Sequence, residues 1–338
     1  MTMIVQSIGD QARAFAMQAA SNRIKTTLDT LTAELSSGEV ADLGSRLQGN
    51  TQDLAGIESR LAMLAQFKSN AAEAAAHTQG MQDALTSVLS MADNLGRGLY
   101  LEPQAATDEL MANRSDQAAS VLQAAIGQLN GSVGQRFLFS GTASDTPPLA
   151  SADTILTALT AHVAGLTTAG DVAQAVSDWF DAPPGAGGFA DVAYQGGSGG
   201  QVTPIGEDTA ITLTTTALSP AIRDSLKGLA TAAMVNHSAL AGDGIEGQRL
   251  LQAAGKALLD NSQSLTAEMS RVGYAQQVIA SAQTQGDAAT ATLQIARNTL
   301  READPLATST AISDAETKLQ TLYSVIGRLS QLKLVDYL

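Results

Sequence analysis

The chain has no cysteine, few aromatic residues (4%), one tryptophan and few charges (15%). Without thiols it has no disulfides, no thiolate metal sites and no cysteine nucleophile. Scarce aromatic bulk makes for a thin core, and this suits elongated helical packing better than a compact enzyme. Basic residues are also in deficit, with 33 Asp+Glu against 19 Lys+Arg and a formal charge of -14. No basic stripe exists to neutralise phosphates, which excludes nucleic acid as an expected partner. No apolar run reaches the roughly 18 residues of a membrane span, so membrane insertion is not expected. Residues 1–10 lack the basic start, apolar stretch and cleavage site of a secretory signal, and any export is expected without a cleaved leader.

What is present is helical periodicity. Ala275, Ile279, Ala282, Gly286, Ala289, Leu293, Ala296 and Leu300 recur at alternating four- and three-residue steps, an a/d seam over four heptads. Asp304-Pro305 breaks it, since proline lacks the backbone donor and pushes its predecessor out of the α region. A second seam follows in Ile312, Ala315, Leu319, Leu322, Ile326 and Leu329, and the chain closes on Leu332, Leu334, Val335, Tyr337 and Leu338. Chain termini are ordinarily frayed and polar, so this apolar ending is expected to meet a partner.

From the N-terminus, a helix is expected over 4 to about 36, striped by Ile24, Leu28, Leu31 and Leu35 and stopped by Gly38. Gly44 and Gly49 keep the next stretch loop-like. A helix over about 51–96 would span about 65 Å. Pro103 interrupts, and a third helix is expected over about 107–130. At 136–142 the pattern changes to a short apolar strand closed by Gly141, with Pro147-Pro148 behind it. Two short helices (about 152–163 and 171–180) and strands at 189–194 and 211–216 follow, with glycine loops at 196–200 and 206–208. Helix resumes near Ser219, stops around Gly242, Gly244 and Gly247, and returns over about 248–300. The expected fold is mainly α: an elongated antiparallel helical bundle or coiled coil formed by N- and C-terminal parts (1–142 and 221–338), with a small α+β inserted domain at 143–220.

The residues offer no catalytic constellation, no cofactor motif and no metal set. His77, His162 and His237 stand without a second ligand at helical spacing. Gly196-Gly197-Ser198-Gly199-Gly200 matches the nucleophile elbow formally, but Gln201-Val202-Thr203-Pro204 follows where that elbow needs a helix. A hydrolase using Ser198 is thus the weak reading, and a non-enzyme the stronger one. A soluble coiled-coil adaptor is a third.

Two segments resemble a known family, the flagellin-like axial proteins of the bacterial flagellum. Gly134-Gln135-Arg136-Phe137-Leu138-Phe139-Ser140-Gly141-Thr142, with Asp145-Thr146-Pro147-Pro148-Leu149 behind it, is similar to the family's segment leading into its outer domain. The ending Leu329-Ser330-Gln331-Leu332-Lys333-Leu334-Val335-Asp336-Tyr337-Leu338 resembles the branch that joins hook to filament. Leu35-Ser36-Ser37-Gly38, Arg271-Val272-Gly273 and Tyr194-Gln195-Gly196 add weaker matches. One departure stands out: after Leu-Ser-Ser-Gly the family continues with paired aspartates, whereas here Ala41-Asp42-Leu43-Gly44 carries one.

The resemblance implies a structural role at the hook–filament junction, outside the cell, with a short filament-forming flagellin as the alternative. It implies export by the flagellar type III export apparatus, a cytosolic export chaperone on the C-terminal helices, and assembly with itself as a homo-oligomeric ring between the first hook-associated protein and flagellin. The residues expected to form the assembly surface are Ile4, Ile8, Ile24, Leu28, Leu31, Ile312, Leu319, Leu322, Ile326, Leu329, Leu332, Leu334, Tyr337 and Leu338.

Overall fold

A computed structural model describes residues 3–100 and 107–335, with side chains over 11–100 and 107–328. The expected interruption at Pro103 lies outside the described residues. The protein is mainly α and folds as two compact units, Met1–Met63 with Ala288–Leu338, and Leu64–Asp287. In chain order the elements are α1 (Met3–Ser37), α2 (Leu43–Arg46), α3 (Gln52–Tyr100), α4 (Asp108–Leu129), β1 (Ser132–Val133), β2 (Arg136–Phe137), α5 (Ala152–His162), α6 (Ala169–Asp181), α7 (Phe189–Val192), β3 (Gln201–Pro204), β4 (Ala210–Leu213), α8 (Pro220–His237), α9 (Gly244–Arg301) and α10 (Pro305–Val335). The segment 143–220, expected as an insertion, falls wholly within the second unit.

In that second unit, α3 and α9 run antiparallel. Lys68 pairs with Asp287 at 2.8 Å, Gln276 donates to Gln79, and Ser262 donates to Asp93, so rising numbers on one helix meet falling numbers on the other. At one crossing point they meet glycine on glycine. A Cβ placed on Gly255 would lie 2.9 Å from the Gly96 carbonyl oxygen, and one on Gly96 would lie 3.2 Å from the Gly255 oxygen. Against this pair lies α8, which is apolar around most of its circumference: Ala221, Ile222, Leu226, Leu229, Ala230, Ala232, Ala233, Met234 and Val235 are all buried. A helix apolar all round belongs in a core, and α4, α5 and α6 pack on it.

Several buried polar groups in this core are paired, which offsets the cost of their burial. Asn261 donates to the Ala221 carbonyl at 2.7 Å and to Ser225 at 2.9 Å. Ser115 donates to the Ala233 carbonyl at 2.6 Å. The buried Glu268 carboxylate accepts from Thr215 at 2.5 Å and from Arg271 at 2.6 Å.

The α+β part departs from the sequence reading in three places. The strand expected over 136–142 is only two residues long. Val133 pairs with Arg136 across a two-residue turn in which Gly134 (φ 57) and Gln135 (φ 68) are both left-handed, the geometry of a tight hairpin. The chain then turns inward, burying Leu138, Phe139 and Ser140.

The strand expected over 189–194 is instead the helical turn α7. Asp191 reaches back to accept the backbone N–H groups of Gly185 and Gly187 at 2.8 and 2.7 Å, and this closes the loop in front of α7. Phe189 stacks on Phe180 at 4.9 Å with Trp179 edge-on, so aromatic packing and not strand pairing fixes the segment. Only Tyr194 keeps a β-bridge, to Leu149. The strand expected at 211–216 shortens to β4, and its partner is β3, a strand the sequence reading did not assign.

Candidate assembly surface

The first unit is built on the two terminal helices. Glu34 O accepts from Gly38 N at 2.8 Å, and Gly38 takes φ +73, a conformation that suits glycine and stops α1. At the other end Asp304 receives the backbone N–H groups of Leu306 and Ala307 at 2.9 and 3.2 Å, capping α10 behind Pro305. The connections beyond these stops pair with each other. Val40 N donates to Arg301 O at 2.8 Å, Ala303 N donates to Gly38 O at 2.9 Å, and the Arg301 guanidinium meets the Glu39 carboxylate at 2.7 Å. The single aspartate of the 41–44 turn caps α2, its carboxylate accepting from Ser45 N at 2.9 Å.

α1 and α10 pack on one another. Their contact is antiparallel, because Gly38 meets Ala303 at one end while Lys25 lies 6.0 Å from the Tyr323 ring centroid further along. Hydrogen bonds from Ser21 and Lys25 hold the Tyr323 phenol below its ordinary value. α1 thus covers part of the α10 stripe.

The cover is partial. Ile24, Leu28, Leu31, Ile312, Leu319, Leu322 and Ile326 are all half-buried, and none is fully enclosed. Phe15 is 76% exposed, Leu306 77%, and Leu35 and Val325 are exposed as well. The fully buried hydrophobic residues of this unit are Leu54, Ala303 and Ala315; every other one among the described residues lies between Ala71 and Ile279. The physical reason is geometric. Two helices in contact enclose only a narrow seam, and a closed interior needs further helices around it. The earlier seam behaves differently along its length: Ile279 is buried and Ala275 and Ala282 pack on the core, while Leu293, Ala296 and Leu300 are half-buried.

Of the other expected surface residues, Ile4 and Ile8 lie in α1 and Leu329, Leu332 and Leu334 in α10, with side chains outside those described. Tyr337 and Leu338 lie outside the described residues.

Charge divides unevenly. The unit holding the terminal helices carries ten basic against twelve acidic residues, and the other unit nine against twenty-one. Residues 137–222 contain no Lys or Arg at all. The near-neutral unit, about a third of the chain, carries six of the eleven exposed large apolar side chains among the described residues, and its charge balance is a signal present in the sequence that periodicity alone misses.

The weak catalytic candidates take ordinary places. Ser198 is exposed in a loop, its carbonyl accepting from Thr142 at 3.2 Å, and a strand follows it. His77 is buried, while His162 and His237 are exposed at helix ends. No group of three or more His, Asp or Glu among the described residues could hold a metal ion, and none of their helices is long and apolar enough to cross a membrane.

No protein-family profile matches the chain, and no curated protein does. Among solved structures it is similar to a protein assigned as a flagellar hook-associated protein from Vibrio parahaemolyticus, with TM-score 0.49 and 16% identity over 73% of this chain and 95% of that one. It is also similar to Bacillus cereus FlgL, with TM-score 0.47 and 14% identity over 70% of this chain and 96% of that one. At those values the likeness carries no argument about function.

Proposed function

We propose that the chain is a structural subunit of the bacterial flagellum, of the hook-associated protein 3 type, which joins hook to flagellin filament by helical self-assembly. The observation that carries the reading is the half-covered α1–α10 pair, in which seven of the expected surface residues are only half-buried. Such a pair gains a closed interior when helices from neighbouring copies complete it, with each half-buried large apolar side chain gaining roughly half of the ~1.5–3 kcal/mol that full burial is worth. The motif resemblance around 134–149 and 329–338 names the assembly in which this would occur. The charge division agrees: a near-neutral end can pack against copies, while the acidic unit stays hydrated.

On this reading the partners are further copies in a ring, the first hook-associated protein and flagellin. A cytosolic chaperone holds the apolar C-terminal helices before type III export. Segments 1–142 and 221–338 are the helical parts, and 143–220 forms the outer domain. No side chain is catalytic.

Deleting the gene tests the proposal. Cells are expected to keep hooks, lose filaments and shed flagellin monomers into the medium, and a chain lacking 332–338 should not restore filaments. Full-length filaments in the deletion strain would overturn it. The second reading, a short flagellin, requires that purified subunits grow alone into long filaments.

A further inference from the structure

We infer that Asn130 is a site of spontaneous deamidation whose rate is gated by folding. Asn130-Gly131 is the one Asn-Gly pair in the sequence. In such a pair the Gly131 backbone nitrogen attacks the Asn130 side-chain carbonyl carbon. A new carbon–nitrogen bond closes a five-membered imide, the bond to the side-chain nitrogen breaks, and ammonia leaves with the proton of the backbone nitrogen. Water then opens the imide at either carbonyl to give aspartate or isoaspartate. Glycine favours the attack because it has no Cβ to crowd the approaching nitrogen.

The folded chain opposes each part of that step. Asn130 caps the end of α4 with φ -82 and ψ 11, which turns the following nitrogen away from the side of the backbone that carries Cβ. The Gly131 N–H is already donated to Gln128 O at 3.1 Å. The amide itself is held at both ends, since Nδ2 donates to Leu149 O and Oδ1 accepts from Leu149 N, each at 2.9 Å. Ring closure needs rotation about ψ and release of the clamp, so it waits for local opening.

The clamp also sets the consequence. It copies a backbone β-pair and needs one donor and one acceptor, which an amide supplies and a carboxylate does not. After conversion to aspartate the Leu149 carbonyl loses its donor and faces a negative charge. Leu149 is bridged to Tyr194, and its neighbours continue that pairing through Ala150 N to Ala193 O and Gln195 N to Pro148 O. Isoaspartate adds a carbon to the main chain beside Gly131, whose carbonyl accepts from Leu138 N at 3.0 Å. Time spent unfolded is therefore recorded at residue 130, and the record loosens the junction of α4 with the 148–150 segment.

The test incubates the purified full chain in mildly alkaline buffer, once native and once in urea, with peptide mapping by mass spectrometry for amide-to-acid conversion and isoaspartate at 130. Conversion in the native protein is expected to be slower by about tenfold or more, since it proceeds only through opened molecules. Equal rates in the two conditions would overturn the inference. Asn130→Asp should unfold at lower urea than the unsubstituted chain. Equal stability would remove the claimed consequence, and if this variant does not fold, the rate comparison on the unsubstituted chain still decides.

Discussion

Replacing Gly255 by alanine tests the packing of the second unit most directly. Alanine in a helix interior is favoured over glycine by about 0.8–1.0 kcal/mol, so on an isolated helix the change would stabilise. Here the new Cβ would lie 2.9 Å from Gly96 O, Leu99 Cβ and Tyr100 N. Two of these are backbone atoms that no rotamer change can move, so α3 and α9 must separate. Overpacking of this kind costs about 1–3 kcal/mol, giving a net loss of about 0–2 kcal/mol. Gly273, on the same helix, has nothing within 4 Å of its Cβ position, so Gly273→Ala should gain about 0.5–1 kcal/mol. The difference between the two variants cancels the propensity gain and isolates the crossing at about 1–3 kcal/mol. For a unit of this size each kcal/mol moves the melting temperature by about 2–4 °C, and urea unfolding followed by far-UV circular dichroism resolves it. If the two alanine variants shifted stability equally, the glycine contact would not be setting the helix spacing.

Three further outcomes follow from particular contacts. Burial, reinforced by the Arg136 charge, lowers the His77 pKa despite opposing contributions from the Leu138 backbone hydrogen bond and Glu73. The unfolded chain then binds the proton more readily, so stability falls as pH drops from about 6.5 through the lower folded value. Urea midpoints compared across that range should fall more steeply for the unsubstituted chain than for His77→Gln, and parallel profiles would remove histidine as the cause. Thr215→Val leaves one oxygen of the buried Glu268 without its donor and should cost about 1–3 kcal/mol. Unchanged stability in chemical denaturation would contradict that role for Thr215. Gly141 has φ +60, and a Cβ there would lie 2.4 Å from Gly197 O, so Gly141→Ala should lose roughly 2 kcal/mol or more in thermal unfolding through left-handed strain and clash.

Much of the helical layout was legible because its signals are local. Gly38 and Asp304-Pro305 stop helices through their own backbone chemistry, and the α1, α3, α4 and α9 stripes follow from spacing of 3.6 residues. The segment 189–194 was misread because Phe189, Val192 and Tyr194 are residue types that favour strand. What overrode this was Asp191 closing the loop of Gly185 and Gly187 and Phe189 stacking on Phe180, contacts made across the fold. β3 was missed although Val202 and Thr203 favour strand; its pairing with β4 across the Gly206 turn is what identifies it.

For the candidate surface the division is similar. The sequence by itself determined where the apolar stripes of α1 and α10 run and how the acidic charge is apportioned, because composition and periodicity do not depend on neighbours. Only the tertiary structure decided that α1 lies against α10 and that the pair leaves Ile24, Leu28, Leu31, Ile312, Leu319, Leu322 and Ile326 half-covered. A stripe reads the same whether one helix or three surround it, and burial is a property of how many do.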